Sequence, residues 1–455
     1  MVYKIVIIGA GPAGYHAAML AAKANLKVLL IEKEKVGGVC LNSGCIPTKT
    51  LLYTSKILDI AKEASKYGLN ISAANPNLQQ ILNRKQKIIK VLNTGLLRRL
   101  QQQGVEVLIA TALSVKREAN NFRVETTAGI FNGEKLLIAT GSKPFLPSLP
   151  GLEQALKNGN AVTSDAALNW LEAPGRLLVI GAGAVGLELA SYYNTLGSKV
   201  TLIDILPTIG GINEKAVTDV LKNSLSEKGI SFYLDSQITH LGLNKLSLLT
   251  SSKEEKLSYD KILISTGRKP DFSNLTFVNL DLVIEKDGLK TNKQLRTSYP
   301  GVYAAGDVNG ISMLAHTAYR EAEVCVNDIL GNYDEIDYHL IPTVIYTNPE
   351  IASVGYTEDT AIKAGFEVKT ELISMRYSGR YLAENEGGAG VAKLVACKKT
   401  DRLLGFQMVG NYASEIIYGV SLMLQHKMTC KDISKIVIPH PTVAEIVKEA
   451  AFPLI

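Results

Sequence analysis

Two stretches of the chain repeat one pattern of apolar runs and glycines. The continuous run Lys4-Ile5-Val6-Ile7-Ile8 breaks into Gly9-Ala10-Gly11-Pro12-Ala13-Gly14. An Ala-rich segment from Tyr15 to Ala24 follows, and a second run, Lys27-Val28-Leu29-Leu30-Ile31, ends in Glu32. Much later Leu177-Leu178-Val179-Ile180 breaks into Gly181-Ala182-Gly183-Ala184-Val185-Gly186. A helix-like stretch to about Leu196 leads to Lys199-Val200-Thr201-Leu202-Ile203 and Asp204, and in each copy the acid stands 18 positions after the last glycine. Short apolar runs alternating with helices predict parallel sheets with crossover helices. The fold class expected is therefore α/β, with two doubly wound dinucleotide-binding domains.

Between the copies, apolar positions at helical spacing predict helices over Leu51–Ala64 and Ile81–Leu100. Leu136 to Pro144 reads as a strand stopped by a Gly/Pro turn, and Ile262 to Pro270 repeats it after the second copy. Gly301 to Val308 is a further buried strand ending in Gly-Asp. From about Asp337 the texture becomes alternating β-like segments, Lys393–Ala396 and Leu404–Val409, and then amphipathic helix, which predicts a third, α+β kind of unit.

Composition narrows the class. The chain has 455 residues, room for about three domains. It is 46% apolar and 20% charged, as folded soluble chains are. The net charge of +6 comes from charges that read as scattered singly, and one Trp with nine Phe offers little stacking surface. Nucleic acid is not an expected partner. No apolar run reaches about 18 residues, so no membrane-spanning helix is expected. Met1-Val2-Tyr3 leads directly into the first run, leaving no room for a signal peptide, and five cysteines are too few and too odd in number for a secreted disulfide scaffold. A cytoplasmic enzyme is the expectation.

A single GxGxxG is weak evidence, although its physics is specific. The first glycine makes the turn, the second lets backbone approach a pyrophosphate, and the third lets the helix pack close. An acid at the end of the next strand then bonds a ribose hydroxyl. Two complete copies, with Glu32 and Asp204 as their acids, predict two dinucleotides. Cys40 and Cys45, in Gly37-Gly38-Val39-Cys40-Leu41-Asn42-Ser43-Gly44-Cys45-Ile46-Pro47-Thr48-Lys49, admit three readings: inert thiols, half a metal site, or a small reducible disulfide. A metal is disfavoured, since the nearest histidines are His16 and His240. His440-Pro441-Thr442-Val443-Ala444-Glu445 reads equally as a capping box, Thr442 with Glu445, or as a general base, His440, oriented by Glu445. On the sequence the two readings compete for Glu445.

Taken in order, the Gly9 turn with Glu32, GGVCLNSGCIPTK, ATGSKP, GAGAVGLELA, TGRKP, YAAGDV, MLAHTA and HPTVAE resemble the flavin-dependent pyridine nucleotide-disulfide oxidoreductases that carry a Cys-x4-Cys pair. The resemblance covers essentially the whole chain. It implies an FAD-binding domain over 1–145, an NAD-binding domain over 146–268, a central domain over 269–338 completing the FAD site, and a C-terminal α+β dimerisation domain over 339–455. It places Gly9, Gly11 and Gly14 on the FAD pyrophosphate and Glu32 on its ribose. Gly141 and Ser142 lie against the same cofactor, Asp307 on the ribityl chain, and Ala315 with His316 near the flavin edge. Lys49 and Glu188 pair beside the flavin N5. Gly181, Gly183, Gly186, Asp204 and Gly267 contact NAD.

The same resemblance makes Cys40–Cys45 a redox-active disulfide, with His440 and Glu445 completing the catalytic set. The base comes from the other subunit in this family, so a homodimer is implied. Within the family the chain is most similar to members that oxidise dihydrolipoamide, whose partners are lipoyl domains of an acyltransferase or a glycine cleavage carrier protein. Glutathione-reducing members are the nearest rival in layout, and a flavin-binding redox sensor is the alternative of a different class. An NADPH enzyme needs cations for the 2′-phosphate, but Asp204 stands there and no arginine occurs between Arg176 and Arg268, so NAD is favoured. Three positions depart from the family pattern: Val39 replaces a threonine, Ala112 a glycine, and Ala184 a bulkier residue.

Overall fold

The computed structural model describes residues 1–251, 253–285 and 288–455. These fall into two compact units, one of residues 1–48, 82–145 and 267–338, the other of 49–81, 146–266 and 339–455.

The first unit is built on the strand Val2–Ile8. It pairs in parallel with Val28–Glu32 on one side, in the register Ile5 to Val28 through Ile8 to Ile31, and with Gly129–Ile138 on the other. Glu106–Ile109 extends the parallel edge, and Ala112–Glu118 and Asn121–Thr126 join Gly129–Ile138 as an antiparallel meander. Residues 269–338 contribute to this same sheet, through Thr276–Val278 beside Ala112–Glu118 and Val302–Ala304 beside Gly129–Ile138. Val6, Leu29, Leu136, Ile138 and Val302 are fully or almost fully buried between its layers, which explains why these strands read as unbroken apolar runs. The expected helices extend to Cys45–Lys62 and Leu78–Gln102.

Among the described residues the second unit holds a three-stranded antiparallel sheet over residues 237–258 and two five-stranded sheets of different kind. The parallel one runs Ser231–Tyr233, Lys199–Ile203, Arg176–Ile180, Lys261–Ile264, Ala161–Thr163 in spatial order, so the second glycine copy also sits on central strands. The other is a five-stranded antiparallel sheet over residues 343–409, with Val391–Cys397 and Leu403–Val409 at its centre. The helices Ala413–Gln425 and Ile446–Ala451 cover it, burying Ile417, Val420, Ile446 and Ala450 against Leu394, Phe406 and Met408. This is the α+β texture anticipated from about Asp337. No helix of the described residues is long and apolar enough to cross a membrane.

Candidate functional site

The first glycine turn closes because only glycine fits it. Gly9 has φ +100°, and a Cβ there would stand 2.3 Å from the Ala139 carbonyl oxygen. A Cβ on Gly14 would stand 1.8 Å from the Gly9 carbonyl oxygen, so the Pro12–Lys23 helix starts pressed against the turn. The Glu32 carboxylate, 8% exposed, accepts the Ala10 N–H at 2.8 Å on one oxygen and the Glu34 N–H at 3.0 Å on the other. Beside it a cavity of about 90 Å³ is lined by Gly9, Glu32, Ala112, Thr140 and Asn274 among others. The Thr140 hydroxyl in that lining is buried without a hydrogen-bond partner among the described residues. A dinucleotide fits this donor and acceptor set. Ala112, the departure from glycine, lies in the wall of the cavity.

Ser142 and Asp307 meet directly, the serine hydroxyl donating to the carboxylate. Arg268 donates to the Ser142 hydroxyl and carbonyl, both at 2.7 Å, and locks the pair. Beneath Asp307 lies a group the sequence reading missed. Glu321, fully buried on the Ala315–Ile329 helix, accepts the Gly306 N–H at 2.5 Å, the Asn309 amide at 2.9 Å and the Tyr338 hydroxyl at 2.7 Å. Burial pushes its carboxyl up to about 7. The one signal in the sequence was its spacing, since Glu321 shares the buried face of that helix with Ala318 and Cys325. Ala315 and His316 open the helix.

The cysteine motif forms two helical pieces, Gly38–Ser43 and Cys45–Lys62, divided at Gly44. Cys40 and Cys45 are disulfide-bonded, with Cα atoms 4.6 Å apart, which selects one of the three readings left open by spacing. No group of three or more potential metal ligands exists among the described residues. Cys325, Cys397 and Cys430 are buried and unpaired, and burial pushes Cys430 up to about 11. Asn42, between the two cysteines, donates to the Val36 and Gly38 carbonyls and fixes the loop.

The second glycine turn repeats the first. Gly181 has φ +105° and its Cβ would stand 2.4 Å from the Ser265 carbonyl oxygen, while that of Gly186 would stand 2.0 Å from Gly181. Asp204 accepts the Ala182 N–H at 2.6 Å and the Leu206 N–H at 2.9 Å. Around Gly183 the space is open, as a dinucleotide requires. Lys49 donates to both Glu188 oxygens, at 3.0 and 2.8 Å, with the glutamate side chain 5% exposed. The sequence paired these two but missed Tyr346, whose backbone N–H donates to Glu188 at 3.0 Å and whose ring lies 4.4 Å from the lysine nitrogen. Gly267, expected near NAD, belongs to the first unit, where its carbonyl accepts the Phe145 N–H.

Near the C-terminus the supposed competition for Glu445 does not occur. One carboxylate oxygen meets His440 Nδ1 at 2.9 Å, and the other accepts the Thr442 N–H at 2.8 Å. A carboxylate has lone pairs enough for both tasks. The Thr442 N–H and then His440 hold the Glu445 carboxyl below its ordinary range. The His440 side chain is 80% exposed, so Nε2 is open to another molecule.

These geometries coincide with known sequences. Residues 3–322 match the family described as pyridine nucleotide-disulphide oxidoreductase, and residues 341–451 match its dimerisation domain. The chain belongs to that family. A pyridine nucleotide-disulphide oxidoreductase of this kind uses FAD and NAD, and the dimerisation domain supports a homodimer. The chain is 36% identical over 453 residues to the dihydrolipoyl dehydrogenase of Mycoplasma pneumoniae, covering 99% of this chain and 98% of that one. It is 35% identical to the dihydrolipoyl dehydrogenase of Thermus scotoductus, covering 99% and 96%. Among solved structures it is similar to the copper(II) complex of the HOCl-induced flavoprotein disulfide reductase RclA of Escherichia coli, with TM-score 0.84, 25% identity and coverage of 99% and 100%. LpdA of Mycobacterium tuberculosis shares the fold, at TM-score 0.87 and 23% identity over 99% of both chains.

Proposed function

We infer that the protein oxidises protein-bound dihydrolipoamide with reduction of NAD+, as the dehydrogenase component of a 2-oxo acid dehydrogenase or glycine cleavage type complex. The observation that carries this is the Cys40–Cys45 disulfide inside a chain that also holds two complete dinucleotide turns. Relatives named dihydrolipoyl dehydrogenase, aligned over nearly the whole length, support the choice of substrate. Asp204 supports NAD over NADP, because a carboxylate repels a 2′-phosphate. Three unpaired cysteines support a reducing compartment, the cytoplasm.

The residues divide the chemistry as follows. His440, offered to a second copy of the chain, takes a proton from one substrate thiol through Nε2, while Glu445 holds Nδ1 and stabilises the imidazolium. The resulting thiolate attacks Cys40 Sγ, and the Cys40–Cys45 bond breaks. Cys45 leaves as a thiolate, favoured by its place at the first position of the Cys45–Lys62 helix. The second substrate thiol then displaces Cys40 and releases the cyclic disulfide, leaving two electrons on the cysteine pair. The chemistry that bound FAD would supply is two-electron transfer between the cysteine pair and NAD+. Gly9, Gly11, Gly14, Glu32, Gly141, Ser142 and Asp307 would hold the FAD, with Ala315 and His316 near its ring. Gly181, Gly183, Gly186 and Asp204 would hold NAD.

The test is turnover of dihydrolipoamide with NAD+ against glutathione disulfide with NADPH. The first pair should be used and the second should not, and the reverse result refutes the assignment. His440→Gln should cut dihydrolipoamide oxidation by about 10²–10⁴-fold while NADH-dependent reduction of a simple dye survives. Near-normal turnover in that variant would leave His440 a structural loop residue.

A further inference from the structure

The helix Leu78–Gln102 contains no acid. Between Glu63 and Glu106 the chain has no Asp or Glu at all, while Arg84, Lys85, Lys87, Lys90, Arg98 and Arg99 all fall on this helix. Six of the chain's 49 basic residues therefore stand together here with no acid among them. Ile81, Ile89, Leu96 and Leu100 bury one face. At 3.6 residues per turn Arg84, Lys87, Lys90 and Arg98 occupy the opposite arc, all exposed, with Val91 among them at 63% exposure.

This arrangement does nothing for the helix itself. Arg84, Lys87 and Lys90 are like charges at i,i+3 spacing, which costs a few tenths of a kcal/mol per pair. Other helices of the protein balance their cations, through Lys157–Glu153, Lys215–Asp219 and Arg380–Glu384 at i,i+4. Among the described residues Lys87, Lys90 and Arg98 take part in no such ion pair. The helix is also fastened to the redox loop. Asn93 donates to the Val36 carbonyl at 2.6 Å and to Asn42 Oδ1 at 3.3 Å, and Asn42 lies between the two cysteines.

We propose that this cationic face docks the acidic protein carrier that brings the dithiol to Cys40. The proposal rests on the dithiol-oxidising function inferred above. From Arg84 to Arg98 the face is roughly 20 Å long, which suits a small folded module and not a low-molecular-weight dithiol. A free dihydrolipoamide carries no charge for it to read. Clustered charge beside a reaction site steers encounter and raises association rates, and the effect fades as salt shortens the Debye length. The exposed Val91 supplies an apolar contact at the centre.

The test compares the holoenzyme with Lys87→Glu/Lys90→Glu/Arg98→Glu on two substrates: dihydrolipoyl-lysine on a lipoyl domain of net negative charge, and free dihydrolipoamide. At low salt the variant should lose on the order of tenfold in kcat/KM for the domain and nothing for the free substrate. The wild type should lose that advantage as salt is raised, and the corresponding Gln variant should fall between. Equal rates on the domain overturn the proposal. So do equal losses on both substrates, or conversion of the dimer to monomer, which would make the face a contact between two copies. If neither protein oxidises free dihydrolipoamide, the inferred function fails and not the docking surface. Titration with the same domain, its lysine unmodified, then decides: weaker binding by the variant supports the surface, and unchanged affinity removes it.

Discussion

The two glycine turns are nearly the same object in different surroundings. In each, an acid at the end of the second strand accepts one N–H from within the turn, Ala10 or Ala182, and one from two residues beyond itself, Glu34 or Leu206. In each, a carbonyl oxygen of the neighbouring strand end excludes a Cβ from the first glycine. The surroundings diverge. At the first turn the cysteine loop comes so close that a Cβ on Gly38 would stand 2.7 Å from Gly11 Cα, and the cavity alongside has a buried, unpartnered hydroxyl in its wall. At the second turn nothing lies within 4 Å of a Cβ on Gly183, where a Cβ on its counterpart Gly11 would meet Gly38 Cα at 4.0 Å. On the proposed assignment the first turn, the more covered of the two, would hold FAD, and the second would hold NAD.

The largest effect should come from placing a methyl group at one position of each turn. Gly9→Ala forces a contact against Ala139 at positive φ, so it should cost about 3 kcal/mol or more and leave protein without flavin colour. Gly183→Ala meets no atom, so the protein should stay folded and yellow and change only its KM for NAD. Flavin absorbance per protein and thermal unfolding read both, and a yellow, stable Gly9→Ala would show that the first glycine of the turn tolerates a side chain after all.

A smaller effect is expected from exchanging the acid of the second turn. Wild-type protein should prefer NAD(H) to NADP(H) by at least about two decades in kcat/KM, as when a site leaves charged groups mispaired. Asp204→Arg should narrow that gap while the flavin stays bound. Comparable rates with both nucleotides in the wild type would contradict the role given to Asp204.

The smallest concerns the buried carboxyl of the first unit. The folded pKa of Glu321, about 7, lies above its ordinary 4.5, so the folded state holds a proton that the unfolded chain has released. Its contribution to stability is therefore greatest below about 4.5 and is lost as pH rises towards 7. Glu321→Gln should remove this dependence, making the stability difference between pH 5 and pH 7.5 smaller than in the wild type by about 1–3 kcal/mol. Thermal unfolding at the two pH values measures it, and parallel pH profiles would show Glu321 to be ionised throughout.

What proved legible in the sequence was local. Glycine spacing, the acid 18 residues on, and the cysteine pair each lie within one strand–turn–helix or one loop, where short-range sterics dominate. The roles of Glu445 were also visible, and the mistake was to treat two hydrogen bonds as rivals for one carboxylate. The basic helix was hidden by a net charge averaged over the chain, although the residues stood in plain view.

The sequence by itself determined that two sets of parallel strands would each end in a phosphate-sized glycine turn, since apolar runs and obligatory glycines admit few other local structures. Only the tertiary structure decided what stands behind those turns. Arg268 reaches Ser142, and Ser142 reaches Asp307, across 126 and 165 residues of chain. Tyr346 closes on Glu188 from a separate sheet, and Glu321 is buried under Gly306. Such partners are set by how strands are ordered and layers stacked, and a polar side chain gives no local sign of which distant donor will satisfy it once both have left water.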